Sequence, residues 1–439
     1  MQFHADKQTL TDLNVLGKYN AGSLFSLFNR TITAGGEKLM DEMFRYPLTS
    51  HSGINDRCEI FRFFSSNRVA LPFSRDEFES AEQYLMSGGA NDHYLFSLLH
   101  TGRRFLLNRM GLKEEYQLAR NGLRASILVL KKLIPFLQAL QGQASYPFRE
   151  ETEQLLTAAG FQPLLQFLSR SGKDRLSLLQ EASLDHLFRN KSYRHMHQLL
   201  GLVYRIDVAI AVGGVAGEKA LVFPVALPSA EAGIRIKACR HPSLENAIGN
   251  DYCSHAHANI CFLTGANMAG KSTFMKSVGA ACYLAHMGFP VAAEEMQFAV
   301  KQGIFSSINV SDNLNQGISH FYAEVLRVKE VATAVCDGHN YLVIFDELFK
   351  GTNVKDAFDA TLECTKAFGQ FCHSDFIIST HIIEVGEELK PFSNVQFRYM
   401  PTVMKGHTPT YTYRMQEGIT ADRQGMMIIG NEGILEMME

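Results

Sequence analysis

The chain has 439 residues, 46% hydrophobic and 20% charged, with a formal net charge of −3; it is not a polycation, and its length suits two to four domains at roughly 100–200 residues each. Its eight cysteines (58, 239, 253, 261, 282, 336, 364 and 372) form no C-x-x-C pair, so neither a zinc ribbon nor a redox motif of that kind is indicated and a reducing, cytoplasmic setting is expected. No apolar run approaches the roughly 20 residues of a membrane span, and the N-terminus "MQFHADKQTLTDL" lacks the basic and apolar regions of a secretion signal.

Charge is divided unevenly. Residues 1–219 hold 26 Lys+Arg against 22 Asp+Glu, and residues 220–439 hold 16 against 23. The positive first half permits a nucleic-acid surface, and a solvated helical face explains it equally well. Arg103, Arg104, Arg109, Arg120, Arg124, Lys131 and Lys132 are the basic residues that could meet phosphates.

Residues 1–220 are expected to be mostly helical. Leu123, Ile127, Leu130, Ile134 and Leu137 recur in steps of four and three, an apolar seam on one helix face that Pro135 should kink or end. A second helix is expected from Tyr193, with Met196, Leu199, Leu200, Val203, Ile206 and Ile210 on one face and "VGGVAG" (212–217) marking its end.

From about Ala220 the pattern changes. "ALVFPVAL" and "GIRIKAC" predict short strands. "ANICFLTG", "NYLVIFDE" and "SDFIISTH" predict three more, each ending at a polar residue and separated by helical stretches. Alternating strands and helices imply a largely parallel sheet with ligands at the strands' carboxyl ends. The expected fold class is α+α/β: a helical domain over 1–220 and a P-loop domain over 221–439.

Gly265, Ala266, Asn267, Met268, Ala269, Gly270, Lys271 and Ser272 fit G-x-x-x-x-G-K-[ST], followed by Thr273, between a strand and a helix. The glycines let backbone N–H groups face phosphate oxygens, and the helix adds its positive end. Lys271 can neutralise β/γ-phosphates, and the Ser272 hydroxyl can ligate Mg²⁺. Asp346 ends an apolar strand, where a carboxylate can hold Mg²⁺ through water. Glu347 beside it suits polarising the attacking water. His381 could contact the γ-phosphate or serve a structural role.

With these residues in place, the chain resembles the MutS-type ATPases, relatives of the ABC ATPases. "TGANMAGKST", "DNLNQGISHFYAE", "LVIFDELFKGTNVKD" and "STHIIEV" follow that family's order and spacing. "RHPSLENAIGND" resembles its lead-in to the nucleotide site, "GFPVAAEEM" its segment after the first helix, and "GSLFSLFNRTITAGGEKLMDEMFRYPL" with "INDRCEIF" the start of its helical core or lever domain. The resemblance implies ATP/ADP binding with Mg²⁺ in a homodimeric composite site. Ser319 would close the partner's nucleotide, and "GTNVKD" (351–356) would signal across the interface. It also implies DNA as partner in mismatch repair or a related process.

The departures from the family pattern are specific. Ala266 replaces a usual proline, Ala269 a usual glycine and His320 a usual threonine. Ala247 stands where an adenine-stacking aromatic is expected, and the other adenine neighbour falls near Arg414, which leaves base selectivity open. The N-terminal mismatch reader and the clamp insertion are expected to be missing; Phe148-Arg149-Glu150 lies outside any such reader and is read as chance. Two functions follow. One is an ATPase coupled to DNA. The other is a nucleotide-switched module acting on a protein partner, which could also supply target recognition. No membrane role is expected.

Overall fold

The computed structural model describes residues 2–17, 22–87, 114–159, 161–170, 177–231, 233–308, 320–405, 408–420 and 437. It contains two compact units that interleave along the chain. One is built from Met1–Phe28, Met43–Cys58 and Val215–Glu439, the other from Asn29–Glu42 and Glu59–Gly214. By compactness, Met1–Phe28 and Met43–Cys58 go with the residues after Val215. The early segments join the sheet-bearing unit for a physical reason. The rings of Phe28 and Phe44 meet Phe289 edge-on at 5.2 and 5.5 Å, and the Tyr283 hydroxyl donates to Phe44 O at 2.6 Å. Such aromatic pairs bury large areas with directional contact.

The chain enters the helical unit through α1 (Ala34–Arg45) and α2 (His51–Asn67), parts of which belong to each unit. Then come α3 (Arg75–Met86), α4 (Glu114–Gln141), α5 (Arg149–Thr157) and α6 (Tyr193–Glu218). Ser74 and Glu77 close a reciprocal capping box at the start of α3. All five residues of the predicted α4 seam are buried, and α4 packs along α3. Pro135 does not end α4, which runs on to Gln141. It lies on the exposed face of the helix, with Lys131 and Lys132, where a proline disturbs no core packing.

Nor does "VGGVAG" end α6, which continues through it to Glu218. Gly213 serves packing instead. A Cβ on Gly213 would stand 2.6 Å from Ser65 N and 2.8 Å from the Phe64 carbonyl carbon, so the backbones of α2 and α6 meet where only hydrogen fits. By length and mean hydropathy α6 is the one described helix that could cross a membrane, but most of it is buried within the protein, as a core helix is. Phe148 is buried and carries the Arg205 guanidinium over its ring at 5.3 Å. That places it in the helical core and leaves the Phe-x-Glu spelling as coincidence.

In the other unit the described strands are β1 (His4–Ala5), β2 (Val225–Leu227), β3 (Ile234–Cys239), β4 (Asn250–Ser254), β5 (Ile260–Gly265), β6 (Glu295–Ala299), β7 (Gly303–Ser307), β8 (Tyr341–Asp346), β9 (Asp375–Ser379), β10 (Val395–Met400), β11 (Thr402–Lys405), β12 (Thr408–Tyr411) and β13 (Gln416–Glu417). Seven form one sheet in the order β1-β7-β8-β9-β5-β10-β13, parallel throughout except at β13. β2-β6-β3-β4 form a second sheet, and β11-β12 a hairpin. Helices α7 (Lys271–His286), α8 (His320–Cys336) and α9 (Val354–Phe368) follow β5, β7 and β8. The mixed helical and mostly parallel-sheet content fits the expected α+α/β class. β5 and β9 are buried along their whole length, as strands covered on both faces must be. Their apolar runs end in the polar Thr264 and Ser379, which are themselves buried at the carboxyl ends where ligands of such sheets bind.

Candidate functional site

β5 and β8 are separated in the sheet by β9 alone, so their carboxyl ends bring the phosphate-loop residues and the paired carboxylates together. Gly265 (φ +142°) and Gly270 (φ +108°) adopt conformations open to glycine, and Met268 between them takes φ 70°. A Cβ at Gly265 would meet Met400 O at 2.9 Å, so both space and dihedral require glycine there. Gly270 is the N-cap of α7 and offers no side-chain hydrogen bond. The orphan N–H groups of that helix end are left for an anion.

Lys271, 5% exposed, folds over the loop. Its Nζ donates to Gly265 O at 2.8 Å and Ala266 O at 3.2 Å. Burial lowers its pKa, opposed by the nearby Glu347 and Asp346 carboxylates. A buried ammonium held by two carbonyls is poised to exchange them for phosphate oxygens. Ser272 Oγ donates to Asp346 Oδ2 at 2.5 Å. The serine hydroxyl and the carboxylate expected to share a cation are thus already in contact.

Glu347 begins the turn after β8 with a left-handed backbone (φ 58°), as does Phe349 (φ 59°). Such conformations in non-glycine residues cost about 1–3 kcal/mol and persist only where the surroundings enforce them. Here the Glu347 N–H donates to Ser379 O at 3.0 Å, the Gly351 N–H to Glu324 Oε2 at 3.3 Å, and Leu348 and Phe349 are buried. His381 Nδ1 stands 3.7 Å from Glu347 Oε1. That contact lowers the Glu347 pKa against the opposing effect of burial, and the same carboxylate raises the pKa of the exposed His381 ring. Glu347 is accordingly ionised at neutral pH, the form a proton acceptor needs.

The oxygen donors at this point are Ser272 and Asp346. Among the described residues no group of three or more His, Cys, Asp or Glu could hold a metal alone. Two hard oxygen donors suit Mg²⁺, which commonly takes its remaining ligands from phosphates and water.

The family model for MutS domain III matches residues 8–212, and that for MutS domain V matches residues 261–436. The chain belongs to the MutS family. A DNA mismatch repair protein MutS from Anaplasma phagocytophilum (strain HZ) is 29% identical over 236 residues, 53% of this chain and 28% of that relative. The match thus spans little more than a quarter of that relative's length.

Within the MutS domain V match lie the loop, both carboxylates and His381. Ser319, with residues 309–318, lies outside the described residues, as do Arg103, Arg104 and Arg109. Of the other basic candidates, Arg120 pairs with the buried Glu181 at 2.7 Å and Lys132 with Glu77 at 2.6 Å, so both are engaged within the helical unit. In the segment 351–356, Asn353 caps α9 by accepting from Asp356 N at 3.0 Å, while Val354 projects into solvent, 76% exposed.

Sequence reasoning missed two residues. It placed an adenine neighbour near Arg414 without singling out Tyr413, whose ring lies 3.1 Å from where a Gly270 Cβ would be. Asn250 fixes that segment, donating to Tyr413 O at 2.9 Å and accepting from Met415 N at 2.7 Å. The aromatic in "YTYRMQEG" was the available signal. The second is Ser379, the polar end of "DFIIS", whose register partner across the parallel pair is Asp346.

Proposed function

We propose that this chain is a MutS-like ATPase that binds Mg-ATP at Gly265–Thr273, hydrolyses it, and couples the cycle to DNA in mismatch repair or a related process. The observation that carries this reading is the convergence of Lys271, Ser272, Asp346 and Glu347 at the ends of two strands one apart in a parallel sheet. Lys271 exchanges its carbonyl partners for β/γ-phosphate oxygens. Ser272 and Asp346 would hold Mg²⁺, which would supply charge neutralisation to the phosphates. Glu347 orients the attacking water and accepts its proton, with His381 beside the γ-phosphate. Tyr413, 47% exposed next to Gly270, offers a ring on which a base can stack. Two copies close on two nucleotides, each completed by the other's Ser319, and 351–356 carries the signal between them. The protein works in the cytoplasm, and a partner protein can supply target recognition.

The test is ATP turnover at low and moderate salt with no DNA, perfect duplex, mismatched duplex, single strand and four-way junction. Stimulation by one structure, weakened by salt as phosphate contacts are, supports coupling and names the target. A rate indifferent to every DNA, with ATP-dependent dimerisation intact, replaces this reading with a nucleotide-switched module acting on a protein partner.

A further inference from the structure

Ser379 occupies a position that the ATPase chemistry above does not use. It is fully buried at the end of β9, the strand between the two site-bearing strands. Its two oxygens face two different carboxylate residues. The hydroxyl donates to Asp346 Oδ1, while its backbone carbonyl accepts the Glu347 N–H at 3.0 Å. Asp346 Oδ2 is taken by Ser272 Oγ at 2.5 Å. The carboxylate is therefore gripped at both oxygens, once from the phosphate loop and once from β9. On its other side Ser379 pairs with Leu263 of β5, and the following Thr380 N–H donates to Leu263 O at 3.2 Å. One residue thus joins the loop strand to the carboxylate strand.

We propose that Ser379 is a positioning residue, whose hydroxyl fixes the plane of the Asp346 carboxylate so that Oδ2 and Ser272 Oγ present a preset pair of oxygens to Mg²⁺. It touches neither nucleotide nor metal. The inference rests on the nucleotide-site reading above. The hydroxyl and the carbonyl separate cleanly: Ser379→Ala removes the first and keeps the second, leaving the Glu347 turn its hydrogen bond. Groups that orient a metal-binding side chain typically change metal affinity by about tenfold or more when removed.

The experiment titrates a fluorescent ATP analogue onto the full chain in EDTA and at stepped Mg²⁺ concentrations, for wild type, Ser379→Ala and Ser379→Thr. The expected result is equal affinity in EDTA, and in Ser379→Ala a Mg²⁺ requirement raised by about tenfold. Ser379→Thr, which keeps a hydroxyl, retains the wild-type requirement. Should Ser379→Ala fail to fold, Ser379→Cys preserves the volume with a weaker donor and is expected to show the same shift in smaller degree. A folded Ser379→Ala or Ser379→Cys with unchanged Mg²⁺ dependence overturns the proposal, and so does an affinity loss of the same size in EDTA, which marks a structural role. A wild-type chain that binds no nucleotide in either condition overturns the site reading itself.

Discussion

The charges at the candidate site of the sheet unit are held differently from two buried carboxylates of the helical unit. In the helical unit, Asp207 is 2% exposed and its carboxylate accepts from Thr33 N at 2.8 Å, Thr33 Oγ1 at 2.7 Å and Ile32 N at 3.1 Å. It pins the segment that leads into α1, whose Thr33 Oγ1 in turn accepts from Gly36 N at 3.0 Å, and burial raises its pKa despite those donors. Glu181 is likewise consumed by Arg120 and Tyr116. At the candidate site of the sheet unit, Lys271, Asp346 and Glu347 each have a partner that a ligand can replace: backbone carbonyls, the Ser272 hydroxyl and an exposed imidazole. A buried charge is therefore not in itself a mark of function. What separates the two cases is whether the partners need that charge for their own hydrogen bonding, or can be displaced by an incoming phosphate or cation.

The sharpest way to break this contrast is to remove charges from the sheet unit. Lys271→Ala is expected to abolish nucleotide binding, a loss of at least about 100-fold in affinity for a buried charge-assisted contact. The thermal midpoint should stay near that of wild type. Glu347→Gln is expected to keep ATP affinity, lower turnover by about 100-fold or more, and trap an ATP-bound dimer. Equilibrium binding, steady-state turnover and light scattering read the three quantities. A Glu347→Gln protein hydrolysing at the wild-type rate removes Glu347 from its role.

The opposite behaviour is expected in the helical unit. Asp207→Ala leaves three donations from Ile32 and Thr33 without their acceptor and should cost about 3 kcal/mol, from roughly 1–3 kcal/mol for each unsatisfied buried group with partial relaxation. Nucleotide affinity measured well below the melting transition should not change. Chemical denaturation checks the first quantity and a binding titration the second. An Asp207→Ala protein as stable as wild type would show that the carboxylate is dispensable to the segment leading into α1.

How much of this was legible in the sequence follows the same division. The α4 seam and the three strand-ending motifs were readable because apolar periodicity and abrupt polar termini are local signals. The interleaving of the units was not, because it depends on Phe28 and Phe44 meeting Phe289 across more than 240 positions. "VGGVAG" read as a helix end because glycine is a poor helix former in isolation. Gly213 stays helical since the α2 backbone leaves no room for a side chain, a tertiary cause invisible along the chain. Within the site, Lys271, Ser272, Asp346, Glu347 and His381 were each identified by motif. Their mutual contacts, and Ser379 among them, required the parallel register of β8 and β9.

The smallest effect sharpens the comparison through pH. His286, fully buried in the sheet unit, has both ring nitrogens committed: Nδ1–H donates to Leu48 O at 3.0 Å, and Nε2 accepts the Lys301 N–H at 3.3 Å. That pattern is possible only for the neutral ring, and burial pushes its pKa down to about 4. An unfolded histidine takes up its proton near 6.5. Between these values the unfolded chain binds more protons, so the contribution is intact above pH 6.5 and is lost as pH falls towards 4. At about 1.4 kcal/mol per pH unit, roughly 1 kcal/mol is gone by pH 5.5. Asp207 has the reverse sign, because its raised pKa makes acidification favour the folded helical unit. His286→Gln should be less stable than wild type at pH 7.5, and the gap should narrow by roughly 1 kcal/mol at pH 5.5 because the variant has no ring to protonate. Hydrogen exchange, corrected for intrinsic rates, should place the acid-sensitive loss in the sheet unit. A gap that stays constant between the two pH values would mean that His286 does not sense acid, and the sheet unit would lose this difference from its helical neighbour.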